Sequence, residues 1–129
     1  MARMNQGKSQ GKMRRANARN TRVVLVTCPT LAVARKIARA VVQKRLAACV
    51  NVVRSPVESY YTWKGKLESA REYLLLIKTT TARLPQLERE VKRRHTYEVP
   101  EFIALPITDG SRDYLSWLTE STFDMGKRP

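Results

Sequence analysis

The chain has 129 residues, enough for one domain, and a chain of that length buries roughly two-thirds of its unfolded surface without help from disulfides or metals. Two cysteines, Cys28 and Cys49, in a chain with no signal-like leader fit a reducing compartment better than a secreted disulfide scaffold. No apolar stretch reaches the ~20 residues of a membrane span, so the expectation is a soluble cytoplasmic protein.

The formal net charge of +14 is unevenly placed. Arg3, Lys8, Lys12, Arg14, Arg15, Arg19 and Arg22 supply half of it within the first 22 residues, which hold no acid. That segment is rich in Gly, Gln and Asn and lacks apolar periodicity. Residues 1–21 are therefore expected to form a basic disordered tail, 22–124 the folded domain, and 125–129 a short C-terminal tail. A basic arm of this kind touches nucleic acid only nonspecifically and in a salt-sensitive way.

The folded part opens with Val23-Val24-Leu25-Val26, an aliphatic run suited to a strand covered on both faces. Pro29 ends it and Thr30 is placed to cap a helix carrying Leu31, Ala34, Ile37, Ala38, Val41 and Val42 at helical spacing. Ala47–Val53 reads as a second strand, with Pro56 beyond it. Val57–Trp63 and Leu67–Thr79, joined at Gly65, read as a long hairpin. Thr80 or Thr81 is placed to cap a second helix with Pro85 in its first turn, Leu84, Leu87 and Val91 inside, and a basic end at Lys92–His95. Glu101–Ile107 is the last strand, and Ser111 begins a short helix with Tyr114, Leu115, Trp117 and Leu118.

The order β-α-β-β-α-β-α is the split-βαβ, ferredoxin-like pattern of an α+β domain. Such a sheet carries both main helices on one face, so its strands should alternate apolar and polar residues. Val23–Val26, Tyr73–Ile77 and Phe102–Leu105 do not alternate. The second face needs a cover, and self-association supplies one.

Five segments occur in register: Val24-Leu25-Val26-Thr27-Cys28-Pro29, Arg45-Leu46-Ala47-Ala48-Cys49-Val50-Asn51, Tyr61-Thr62-Trp63-Lys64-Gly65-Lys66, His95-Thr96-Tyr97-Glu98-Val99-Pro100-Glu101 and Tyr114-Leu115-Ser116-Trp117-Leu118. Each resembles a signature of the CutA divalent-cation-tolerance family, and together they cover about residues 22–120. The resemblance implies a cytoplasmic homotrimer with interlocking strand extensions, similar in architecture to the PII signalling proteins, and an association with tolerance of copper and other divalent cations. It also implies metal-binding histidines at the end of the second helix, sometimes as an adjacent pair. Here Arg94 stands at the first position of that pair, and Val26 stands where some members carry a cysteine.

Cys28 and His95 are the candidate metal ligands, since thiolate and imidazole suit copper and, less well here, zinc. Two ligands leave a four-coordinate site half filled, so neighbouring subunits would have to complete it. Cys49, inside an apolar strand, reads as a small buried residue. A second candidate is an intersubunit cleft of Tyr61, Trp63, Lys78, Tyr97, Glu98 and Glu101, whose rings and charges suit a polar or anionic metabolite. On that alternative the protein is a PII-like metabolite sensor. An enzyme would need Cys28 as nucleophile and His95 as base, oriented by Glu98 or Glu101, in hydrolase-like chemistry. No glycine-rich phosphate loop is present, and Glu72–Lys78 lacks the aromatic motif of RNA-recognition sheets. The reading is a metal- or ligand-binding protein, not an enzyme.

Overall fold

The computed structural model describes residues 18–124 and 126. Five strands, β1 (Thr21–Cys28), β2 (Cys49–Val52), β3 (Val57–Trp63), β4 (Lys66–Thr80) and β5 (Ile103–Pro106), combine with helices α1 (Leu31–Gln43), α2 (Leu84–Arg94) and α3 (Arg112–Ser121). The expected order of elements is found. The sheet runs β2-β4-β1-β5, antiparallel throughout, and β3 pairs with the end of β4 that extends past β1.

Residues 1–17 of the expected tail lie outside the described residues. Residues 18–21, assigned to that tail, belong to the fold: Ala18 and Thr21 are buried, the Thr21 hydroxyl donates to the Ala18 carbonyl, and β1 starts at Thr21. Strand bounds also move. β2 and β5 are shorter than their apolar runs, because pairing partners on β4 and β1 exist for only four residues of each.

Register decides which side chains share a face. Val24, Val26 and Cys28 lie opposite Ile77, Leu75 and Tyr73 and point to the helices. There they meet Ala34, Ile37 and Val41 of α1 and Leu87 and Val91 of α2. The other parity places Val23, Leu25, Leu74, Leu76, Ile103 and Leu105 on the opposite face. In a single chain that face stays open: Ile103 is 48% and Leu105 44% exposed. α3 packs on β4 and β1 through buried Leu115 and Leu118 and leaves Tyr114 and Trp117 partly exposed. Cys49 sits on this open face and is half-buried, not fully enclosed as its apolar strand suggested.

Helix ends carry much of the polar bonding. Thr30 caps α1 by accepting from Val33 N, and Ser111 caps α3 by accepting from Tyr114 N. The expected threonine cap of α2 is absent. A 3₁₀ turn, Thr81–Arg83, precedes that helix, and the Thr80 hydroxyl bonds Thr122 instead. At the end of α1, Leu46 N bonds Val41 O and Arg45 N bonds Val42 O, a Schellman closure. Its left-handed position is held by Arg45, at φ 59°, where glycine is the usual occupant. The compensation is visible in the Arg45 side chain, whose Nη2 and Nε donate to the Glu120 and Phe123 carbonyls at 2.6 and 3.2 Å. Those carbonyls lie in the last turn of α3 and just past its end, and Glu120 O also accepts from Phe123 N. On the outer surface, Lys44, Arg93 and Arg94 converge on the Glu90 carboxylate at 2.7–2.8 Å.

No helix among the described residues is long and apolar enough to cross a membrane.

Arg45→Ala and Arg45→Gly both release α3, but only glycine relieves the left-handed backbone. Denaturant unfolding should therefore find the glycine variant about 1 kcal/mol more stable than the alanine variant; the reverse order would show that the backbone there carries no strain. Hydrogen bonds from its three basic partners, Arg93 first and then Lys44 and Arg94, hold the Glu90 carboxyl down to about 2 from 4.5. Its stabilisation is thus present above pH 4.5 and lost as pH falls toward 2. Glu90→Gln should cost about 1–2 kcal/mol at pH 7, with the two proteins converging in stability at the acid end.

Candidate acidic and aromatic cleft

β4 extends past its pairing with β1, and the chain leaving α2 turns across that region. Glu72 lies just past Tyr73, the partner of Cys28, and itself faces Val57. The result is a cleft of about 650 Å³ whose walls include Tyr60, Tyr61 and Trp63 from β3, Glu72 from β4, and Tyr97, Glu98 and Glu101 from the segment before β5.

Glu72 is the centre of its electrostatics. It is buried and sits on the same face of β4 as Leu74 and Leu76. Burial, a hydrogen bond to Glu72 and the Glu72 charge push the Tyr97 phenol up to about 12. Tyr97 thus stays a donor to the carboxylate. Burial, followed by repulsion from Glu72, raises the Glu101 carboxyl. The same two causes push the Cys28 thiol up to about 12. Thiolate chemistry at Cys28 is correspondingly suppressed.

His95 is committed to backbone. Tyr97 N donates to its Nδ1 at 3.1 Å, so the ring carries its proton on Nε2, which donates to the Thr27 carbonyl at 2.7 Å. Its ring also packs on Tyr97, with centroids 4.8 Å apart. Both nitrogens are spent in holding the segment after α2 against the end of β1. Ligation or base catalysis by His95 would first break one of these bonds, and the buried, protonated Cys28 thiol offers no nucleophile beside it. No group of three His, Cys, Asp or Glu side chains among the described residues is gathered tightly enough to hold a bare metal ion.

Of the six residues expected at an intersubunit cleft, Tyr61, Trp63, Tyr97, Glu98 and Glu101 line this one cavity within a single chain. Lys78 does not. It lies opposite Val23 and Cys49, with Nζ 4.0 Å from Cys49 Sγ. It stands six positions along β4 from Glu72, about 20 Å at the usual rise. Within one chain the cleft has three carboxylates and no lysine or arginine among its lining residues, against the anionic or polar ligand expected from the sequence at an intersubunit cleft. Glu72 was missed there. Its signal is an acid directly before the apolar run Tyr73–Ile77, at even parity with Leu74 and Leu76.

Residues 22–121 match the family described as CutA1 divalent ion tolerance protein. The "Divalent-cation tolerance protein CutA" of Thermus thermophilus is 53% identical over 100 residues, covering 78% of this chain and 96% of that protein. "Protein CutA, chloroplastic" of Arabidopsis thaliana is 51% identical over 100 residues, and the chain spans 54% of its length. Among solved structures, the divalent cation tolerance protein of Thermus thermophilus superposes with a TM-score of 0.78 at 51% identity, over 80% of this chain and 99% of that one.

The Cys28 environment generates a direct test. Iodoacetamide at pH 8 should leave Cys28 unmodified in the native protein and alkylate it once the protein is unfolded, as read by peptide mass spectrometry. Rapid native labelling of Cys28 would contradict the raised thiol.

Proposed function

The chain belongs to the CutA1 divalent ion tolerance family, and we propose that it is a cytoplasmic binding protein that holds a hydrated divalent cation in the cleft around Glu72. The observation that carries this reading is a buried carboxylate flanked by two more, in a cleft lined by no basic side chain. Burial and then repulsion from Glu72 raise the Glu101 carboxyl, and a dication relieves that repulsion. A dication with six waters needs on the order of 200 Å³ at ~30 Å³ per water, which the cleft accommodates. The carboxylates need not converge to bare-ion distances when water fills the inner shell, as hard cations permit. Copper is the metal to try first and zinc second, on the family's link to divalent-cation tolerance.

The proposal extends to assembly as a homotrimer. The open face of the sheet, with Leu25, Leu76, Ile103 and Leu105 continued by Trp117, supports a second and third copy as its cover. Both cysteines are free, which suits a reducing cytoplasm. The competing reading, a PII-like sensor of a small anion in the same cleft, has three like charges against it.

Calorimetric titration of Cu²⁺, then Zn²⁺, into the reduced full-length protein tests the reading. Saturable binding is expected, weakened about tenfold or more by Glu72→Gln and by Glu101→Gln, unchanged in Cys28→Ser, and declining with acid as Glu101, whose carboxyl is raised, takes up its proton. Binding that survives both glutamine variants and vanishes in Cys28→Ser would sink the cleft as the metal site.

A further inference from the structure

A second cavity lies at the other end of the domain and has the opposite chemistry. It measures about 490 Å³ and forms where the first turn of α2 meets the C-terminal end of α3. Two arginines, Arg83 and Arg89, and one carboxylate, Asp124, line it. Arg83 is buried, and its position is fixed: Nε and Nη2 donate to the carbonyls of Arg45 and Lys44, and Nη1 pairs with Asp124 at 3.3 Å. Asp124 is thereby matched, and the second guanidinium is left over. Arg89 has no hydrogen bond or ion pair among the described residues, and neither do the side chains of Asn20, Thr81 and Gln86 that line the same space. The first turn of α2 contains no acid to compete. One wall is apolar, formed by Phe123, which is 46% exposed.

We propose that this cavity binds the phosphate group of a small organic phosphate, with Arg89 as the principal ligand and Phe123 against the organic part. A guanidinium fork matches phosphate geometry in a two-bond contact. The free amides and hydroxyl supply the remaining donors. The size lies within the range of small-molecule sites. Arg83 acts as a positioning residue, since its donors tie the end of α1 and Asp124 into the cavity wall. The site is separate from the glutamate cleft, so one protein offers a cation-preferring and an anion-preferring cavity built from different residues.

The test is calorimetric titration of inorganic phosphate and, separately, adenosine monophosphate into the full-length protein at physiological salt. One saturable site per chain is expected, with the nucleotide binding tighter than phosphate. Arg89→Ala should weaken both about tenfold or more, and Arg89→Lys should restore part of the loss. Glu72→Gln should change neither affinity, which separates this site from the cation cleft. Arg39, exposed on α1 with no partner among the described residues, provides the control for general attraction to a +14 protein. An equal loss in Arg39→Ala, unaltered binding in Arg89→Ala, or no saturation in the millimolar range would each overturn the proposal.

Discussion

The pairing of β4 with β1 is the constraint on which everything else rests. The ladder runs from Thr21 opposite Thr80 to Cys28 opposite Tyr73, and β4 is 15 residues long against 8 for β1. The register sends Val24, Val26, Leu75 and Ile77 to the helices, which builds the core. A slip of one residue would reverse every side chain and place that set on the open face. The excess length of β4 carries the chain past β1, where β3 pairs with it and the cleft forms.

The same ladder places the chemistry. Glu72 comes to lie beside the end of β1, near the buried Cys28, and within a hydrogen bond of Tyr97. His95 then fastens the segment containing Tyr97, Glu98 and Glu101 by spending both ring nitrogens on backbone. Its role is that of a strut. Burying Glu72 costs free energy unless the charge finds donors or a counter-ion, and the Tyr97 phenol meets only part of that need.

At the far end the charges are arranged in the opposite sense. Arg45 and Arg83 direct their donors at carbonyls that end helices, Arg45 to α3 and Arg83 to α1. Both arginines are therefore structural cross-links between elements distant in sequence, and Lys44, Arg93 and Arg94 are tied into the Glu90 cluster. Arg89 is left outside these networks.

The sequence by itself determined the order of elements, the family and the two caps at Thr30 and Ser111. Each depends on residues close in the chain: apolar spacing, a hydroxyl three residues before a free N–H, a run of adjacent motif residues. It also made legible five of the six cleft residues, because they stand in two short segments. The tertiary structure alone decided what those residues can do. Lys78 looked like a member until the strand's extended rise carried it about 20 Å from Glu72. Glu72 looked like one acid in a hairpin until register turned it toward Tyr97 and Glu101. Cys28 and His95 looked like a ligand pair until burial raised the thiol and backbone took both imidazole nitrogens. Local pattern specifies which residues are present. Charge preference and availability depend on burial and on partners tens of residues away, and those exist only once the strands have paired.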